Sequence, residues 1–136
     1  MIEVMRRELS RAAGQAEREK QSLTVSWLST NAARDVQSII EQMRSVTPKP
    51  IVQVLCHDNQ QNRDDLRNFP QGEKRFFHTG GHIKLLIVGD SAAFLGVQMG
   101  NDRQEYFPDY LVIVQEPVRI GELQGIFDKC WEVAAE

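Results

Sequence analysis

The sequence predicts an α/β fold in which one mixed β-sheet carries helices on both faces. Three observations predict it. Short runs rich in β-branched and aromatic residues (LTVSWL, IVQVLCH, YLVIVQ) recur along the chain, and segments with apolar residues at helical spacing separate or flank them. Two further apolar runs meet across Gly89-Asp90-Ser91, which reads as the turn of an antiparallel hairpin. The 136 residues, 41% hydrophobic and 26% charged, suffice for one continuous core. The chain therefore reads as a single domain over 1–136, with an amphipathic helix in 1–21 and an α/β core in 22–136.

The N-terminal helix is expected because Met5, Leu9, Ala12, Ala13 and Ala16 share one helical face while Arg and Glu fill the rest. Leu23 to Leu28 alternates and reads as the first strand. Ser29, Thr30 and Asn31 offer N-cap chemistry for a helix from about Ala32 to Ser45, with Val36, Ile39, Ile40 and Met43 on one face. The two prolines in Thr47-Pro48-Lys49-Pro50 stop it, since the residue before a proline is pushed out of the α region. The second strand is IVQVLCH, ending at His57. Asp58 and Asn59 can cap a short helix over 61–68 that Pro70 and Gly72 end. A short strand over 74–78 leads to the Thr79-Gly80-Gly81 turn, then to the hairpin of HIKLLIV (82–88) and AAFLGV (92–97). A polar loop over 98–108, a buried strand over 110–115 and a closing helix from Pro117 complete the series. In that helix Ile120, Leu123, Ile126, Phe127, Cys130 and Trp131 make the apolar face.

Composition excludes several classes. A formal net charge of -3 gives no global attraction to nucleic acid or to an anionic membrane. No apolar run approaches the roughly 20 residues that span a bilayer, and the N-terminus is charged from residue 3 with no signal-like apolar region, so a cytoplasmic location is expected. Cys56 and Cys130 have no CxxC spacing; they read as two buried thiols, with neither a metal nor a cofactor expected.

His82 and Lys84, two apart at the start of a strand, point to one face. Seven residues after His82 comes Gly89, then Asp90, and Gly96 follows His82 by fourteen positions. Here the sequence resembles the phospholipase D superfamily. That family's motif reads His-x-Lys, four residues, Asp, then six residues, a Gly-Ser or Gly-Thr pair, and an Asn two positions on. The order of strands and helices over Leu23 to Ala134 matches the family's half-domain, with the specific part lying between Gly81 and Gly96. The resemblance implies that His82 is a nucleophile toward phosphorus and Lys84 a phosphate anchor, with Asp109 orienting the histidine. It also implies a homodimer, since a single-copy chain brings two histidines together only by pairing.

The departures from the motif bear on activity. Gly89 stands where the aspartate is expected, and Asp90 is displaced by one, which in a strand turns a side chain to the opposite face. Val97 replaces the hydroxyl and Met99 the asparagine, and neither side chain donates a hydrogen bond. Asn101, in the loop that follows, is the candidate substitute donor. Apolar groups at 97 and 99 suit a small organic ligand better than a phosphoryl group. The expected function is thus a degenerate phospholipase D-like domain acting as the ligand-sensing and dimerising module of a regulatory protein, a role that similar domains play in some prokaryotic transcription regulators. The amphipathic N-terminal helix suits a connector or dimer contact. The alternatives are a small homodimeric phosphodiesterase or nuclease working through a phosphohistidine, and an unrelated α/β interaction module. His57 and His78 at strand ends, and the basic residues Lys74, Arg75 and Arg103, are further candidates for a polar or anion-binding pocket.

Overall fold

In the computed structural model the elements run α1 (Ile2–Glu19), β1 (Thr24–Ser29), α2 (Arg34–Met43), β2 (Ile51–His57), α3 (Gln60–Asp65), β3 (Lys74–Phe77), β4 (Lys84–Val88), β5 (Ala92–Val97), β6 (Tyr110–Val114) and α4 (Pro117–Val133). The structure describes residues 2–32, 34–44, 49–78, 83–97 and 110–135, without the side chains of Ile2, Asp35, Met43, Val97 and Tyr110.

The six strands form one mixed sheet in the order β3-β2-β1-β4-β5-β6. β1, β2 and β3 are parallel, and β4, β5 and β6 are antiparallel to their neighbours. Period-2 alternation assigns the strands' side chains to two cores. Val25, Trp27, Val52, Val54, Cys56, Leu86, Val88 and Phe94 face α1 and α2, packing with Leu9, Ile39 and Ile40. Leu28, Leu55, Leu85, Ile87 and Ala93 face α4 and pack with Ile120 and Phe127. Both layers expected from the sequence are present, which is why the inner strands read as nearly continuous apolar runs.

Boundaries shift for local reasons. α1 ends at Glu19, where Lys20 adopts a left-handed φ of 56°, so the helix stops short of Gln21. The hydroxyls expected to cap α2 are used elsewhere, and that helix begins at Arg34. α3 covers only Gln60–Asp65, capped by the Asn59 side chain, which accepts from the Asn62 N–H at 2.7 Å. A 3-10 turn over Gln71–Glu73, not anticipated, leads into β3. The expected turn at 79–81 and loop at 98–108 lie outside the described residues, as does Ser45, the expected end of the second helix.

The two edges of the sheet differ. At β3, Ala135 bridges to Phe76, whose N–H donates to the Ala135 carbonyl at 2.7 Å and whose carbonyl accepts in return at 2.9 Å. At β6 no further strand follows among the described residues, and Val112 and Ile113 are exposed on opposite faces.

Leu9 is fully buried between α1 and the sheet. Leu9→Ala should destabilise the protein by about 3 kcal/mol, seen as a lower urea midpoint; an unchanged midpoint would show that α1 does not pack there.

Candidate functional site

The direction of the strands collects particular ends at one edge. β1, β2 and β3 finish there, β4 starts there, and the pair Val97↔Tyr110 brings the end of β5 and the start of β6 to the same edge. Crevices outside the carboxyl ends of strands are where open α/β sheets commonly take ligands.

Lys84 is the first residue of β4 and pairs with Ser29, which pairs in turn with Cys56. Their alternation with Leu86, Trp27 and Val54 sets all three on the α1/α2 face. Ser29 and Cys56 are buried, and Lys84 is half-buried. Burial holds the Lys84 ammonium below the ordinary lysine pKa, opposed by the neighbouring Cys56. No carboxylate among the described residues pairs with it. Burial pushes the Cys56 thiol up to about 12, so this sulfur stays protonated and is no nucleophile.

The backbone just before Lys84 is held by Thr30. The Thr30 N–H donates to the Ile83 carbonyl at 2.9 Å, and the Ile83 N–H donates to Thr30 Oγ1 at 2.8 Å. Behind Thr30 lies Asn62, buried at 2% exposure, whose side-chain amide donates to the carbonyls of Thr30 and His57, both at 2.8 Å. Its Oδ1 accepts from the Ala32 N–H at 3.1 Å. A single residue of α3 thus ties the ends of β1 and β2 together. No residue pattern flags Asn62, because QQNRDD is polar throughout. Thr30 reads in the sequence as a helix cap.

The edge also brings His57 and His78 together, with ring centroids 6.0 Å apart in an edge-on arrangement. Next to them Asp58 accepts two hydrogen bonds from the Arg63 guanidinium at 2.7 and 3.1 Å, which holds its carboxyl below the usual carboxylate range. Arg63 lies over the Phe76 ring at 4.3 Å. Lys74 and Arg75 have structural partners. The Lys74 ammonium donates to the Leu66 carbonyl at 3.0 Å, and Arg75 donates to the Trp131 carbonyl at 2.7 Å while stacking over that indole.

Of the residues that the family motif singles out, Lys84 is the one whose side chain is described. His82, Met99, Asn101, Asp109 and Arg103 lie outside the described residues, as does the side chain of Val97. Gly89 and Asp90 fall in the β4-β5 turn, at the far end of β4 from Lys84. The expected change of face at Asp90 therefore does not arise, because the position is in a turn rather than a strand. Gly89 has φ of +54°, and a Cβ there would lie 3.2 Å from Leu23 Cδ1, so glycine fits the turn where an aspartate would be strained. Among the described residues, no group of three or more His, Cys, Asp or Glu side chains is placed to hold a metal ion. No helix among the described residues is long and apolar enough to cross a membrane.

No protein-family model and no curated protein sequence matches the chain. Solved structures do. NucT from Helicobacter pylori superposes with a TM-score of 0.61 at 17% identity, covering 96% of this chain and 91% of that one. Nuc from Salmonella typhimurium, a phospholipase D family member, superposes with a TM-score of 0.55 at 13% identity over 92% of this chain and 87% of its own. The fold is phospholipase D-like. TrmBL2, an archaeal chromatin protein with a novel mode of DNA binding, aligns with a TM-score of 0.50 at 12% identity over 93% of this chain. The match spans 51% of TrmBL2. In this phospholipase D-like sheet, Lys84 opens β4 at the edge where β1, β2 and β3 end.

Cys56 should resist alkylation by iodoacetamide at pH 8 in the folded protein and react only on unfolding, as followed by mass spectrometry. Rapid labelling of native Cys56 would show that the rung beside Lys84 is open to solvent.

Proposed function

We propose that the chain is a phospholipase D-like domain that binds a phosphate-bearing ligand through Lys84 and serves as the sensing and dimerising module of a cytoplasmic regulatory protein. The observation that carries this reading is a half-buried ammonium with no carboxylate partner among the described residues. Burying a cation costs stability unless an anion meets it, so such a group is retained for the anion it receives. The low expectation for turnover comes from Val97 and Met99, which stand where the family's pattern has hydrogen-bond donors. Each lost donor of an oxyanion-type site costs about 3 to 4 kcal/mol of transition-state stabilisation. The likeness to half of TrmBL2, a DNA-binding chromatin protein, supports placing such a domain within a larger DNA-associated protein.

A second reading is favoured by the likeness to NucT and Nuc and by the tight hold of Thr30 on Ile83, the residue between His82 and Lys84. In it the chain is a homodimeric phosphodiesterase. The His82 imidazole attacks phosphorus, the P–O bond to the leaving group breaks, and the histidine of a second copy protonates the departing oxygen. Lys84 neutralises the phosphoryl oxygens and Asp109 orients His82; water then hydrolyses the phosphohistidine and regenerates the imidazole.

The two readings separate on bis(p-nitrophenyl) phosphate. The binding module gives no turnover at high protein concentration, whereas the enzyme gives p-nitrophenol release that His82→Asn abolishes. Lys84→Met should abolish binding of pyrophosphate, measured by calorimetry, and raise the urea midpoint at pH 7. The sign follows from the depressed pKa: the charged form is disfavoured in the folded state, so stability is lost as pH falls from the ordinary lysine value toward the lower folded-state one, and removing the charge restores it. A lower midpoint together with intact binding would sink the role given to Lys84.

A further inference from the structure

Hydrogen bonding at the head of β4 departs from the ladder below it. Two opposed residues of a regular antiparallel pair exchange both of their N–H to carbonyl bonds. Thr30 and Ile83 keep one of these, from the Thr30 N–H to the Ile83 carbonyl at 2.9 Å. The reciprocal bond is replaced. The Thr30 carbonyl accepts from the Asn62 amide at 2.8 Å, and the Ile83 N–H turns to Thr30 Oγ1 at 2.8 Å. The same hydroxyl lies 3.4 Å from the Ile83 carbonyl, to which it donates.

Asn62 has no freedom to release that carbonyl. It is 2% exposed, and its amide and Oδ1 also serve His57 and Ala32. Withdrawing it would leave buried polar groups unpaired, at about 1 to 3 kcal/mol each. Among the described residues, the acceptor that meets the Ile83 N–H is the hydroxyl oxygen of Thr30. Lys84 follows directly, paired to Ser29, so the anchoring of Ile83 fixes where β4 begins and how its first side chain leaves the sheet.

We infer that Thr30 is a positioning residue for the Lys84 site: Asn62 takes its carbonyl, and its hydroxyl replaces the lost ladder bond to hold Ile83 and so aim Lys84. The functional consequence rests on the phosphate-binding reading above, but the positioning itself is measurable without any ligand.

The variants are Thr30→Val, which keeps the shape and removes the hydroxyl, and Thr30→Ser, which keeps the hydroxyl. In Thr30→Val, exchange of the Ile83 amide hydrogen should accelerate about tenfold relative to that of Ile87 in the same strand, the effect of losing one hydrogen bond. The Lys84 ammonium, followed by NMR after reductive 13C-methylation, should titrate closer to the ordinary lysine value. Pyrophosphate affinity should fall about tenfold, and Thr30→Ser should restore all three. A general loss of stability would accelerate Ile87 as well and leave the Lys84 titration in place, which overturns the inference, as does an unchanged Ile83 exchange rate. If the unmodified protein binds no pyrophosphate while exchange and titration respond as expected, the positioning role stands and the phosphate-binding reading falls.

Discussion

The antiparallel pairing of β1 with β4 is the constraint on which the rest depends. Up to β1 the sheet is parallel, and its strands all finish at one edge. Because β4 runs the other way, its first residue is delivered to that same edge, and Lys84 stands beside the last residues of β1 instead of a sheet-length away. Had β4 been parallel to β1, the strand bearing Lys84 would begin where Gly89 and Asp90 now turn. The two-sided packing of α1 and α2 against one face and α4 against the other buries β1 and β4 deeply enough that no alternative register is available.

Deep burial has a local consequence at the edge. The rung of Lys84, Ser29 and Cys56 contains a buried thiol kept protonated, a buried hydroxyl turned to the Asn31 backbone, and a cation whose charge is discouraged by its surroundings. Among the described residues no carboxylate meets that cation, and an unpaired charge in low dielectric raises the energy of the folded state.

Much of this was legible in the sequence, and the exceptions have physical causes. The strands were readable because β1, β2, β4 and β6 carry β-branched and aliphatic runs that helices do not favour, and the hairpin because Gly89 sits between two such runs. Helix ends were less readable. Thr30 and Ser29 are residues that cap helices and equally residues that hydrogen-bond to neighbouring backbone, and composition cannot tell which partner wins. Lys84 was legible through its spacing to His82. Asn62 was not: it lies in a polar segment, and its burial comes from the ends of β1 and β2 meeting over it. The turn at Gly89-Asp90-Ser91 was legible, and because Asp90 lies in it the two-face rule of a strand does not apply to that side chain.

The unequal borders of the sheet give the molecule a handedness of contact. On one side the strand border is already occupied by the chain's own residue 135 and flanked by two basic side chains. On the other, an uncharged five-residue strand presents valine and isoleucine to water on both faces. Among the described residues, then, one border of the sheet is already paired and the other is not, and an unpaired border is where an extended segment finds a backbone template.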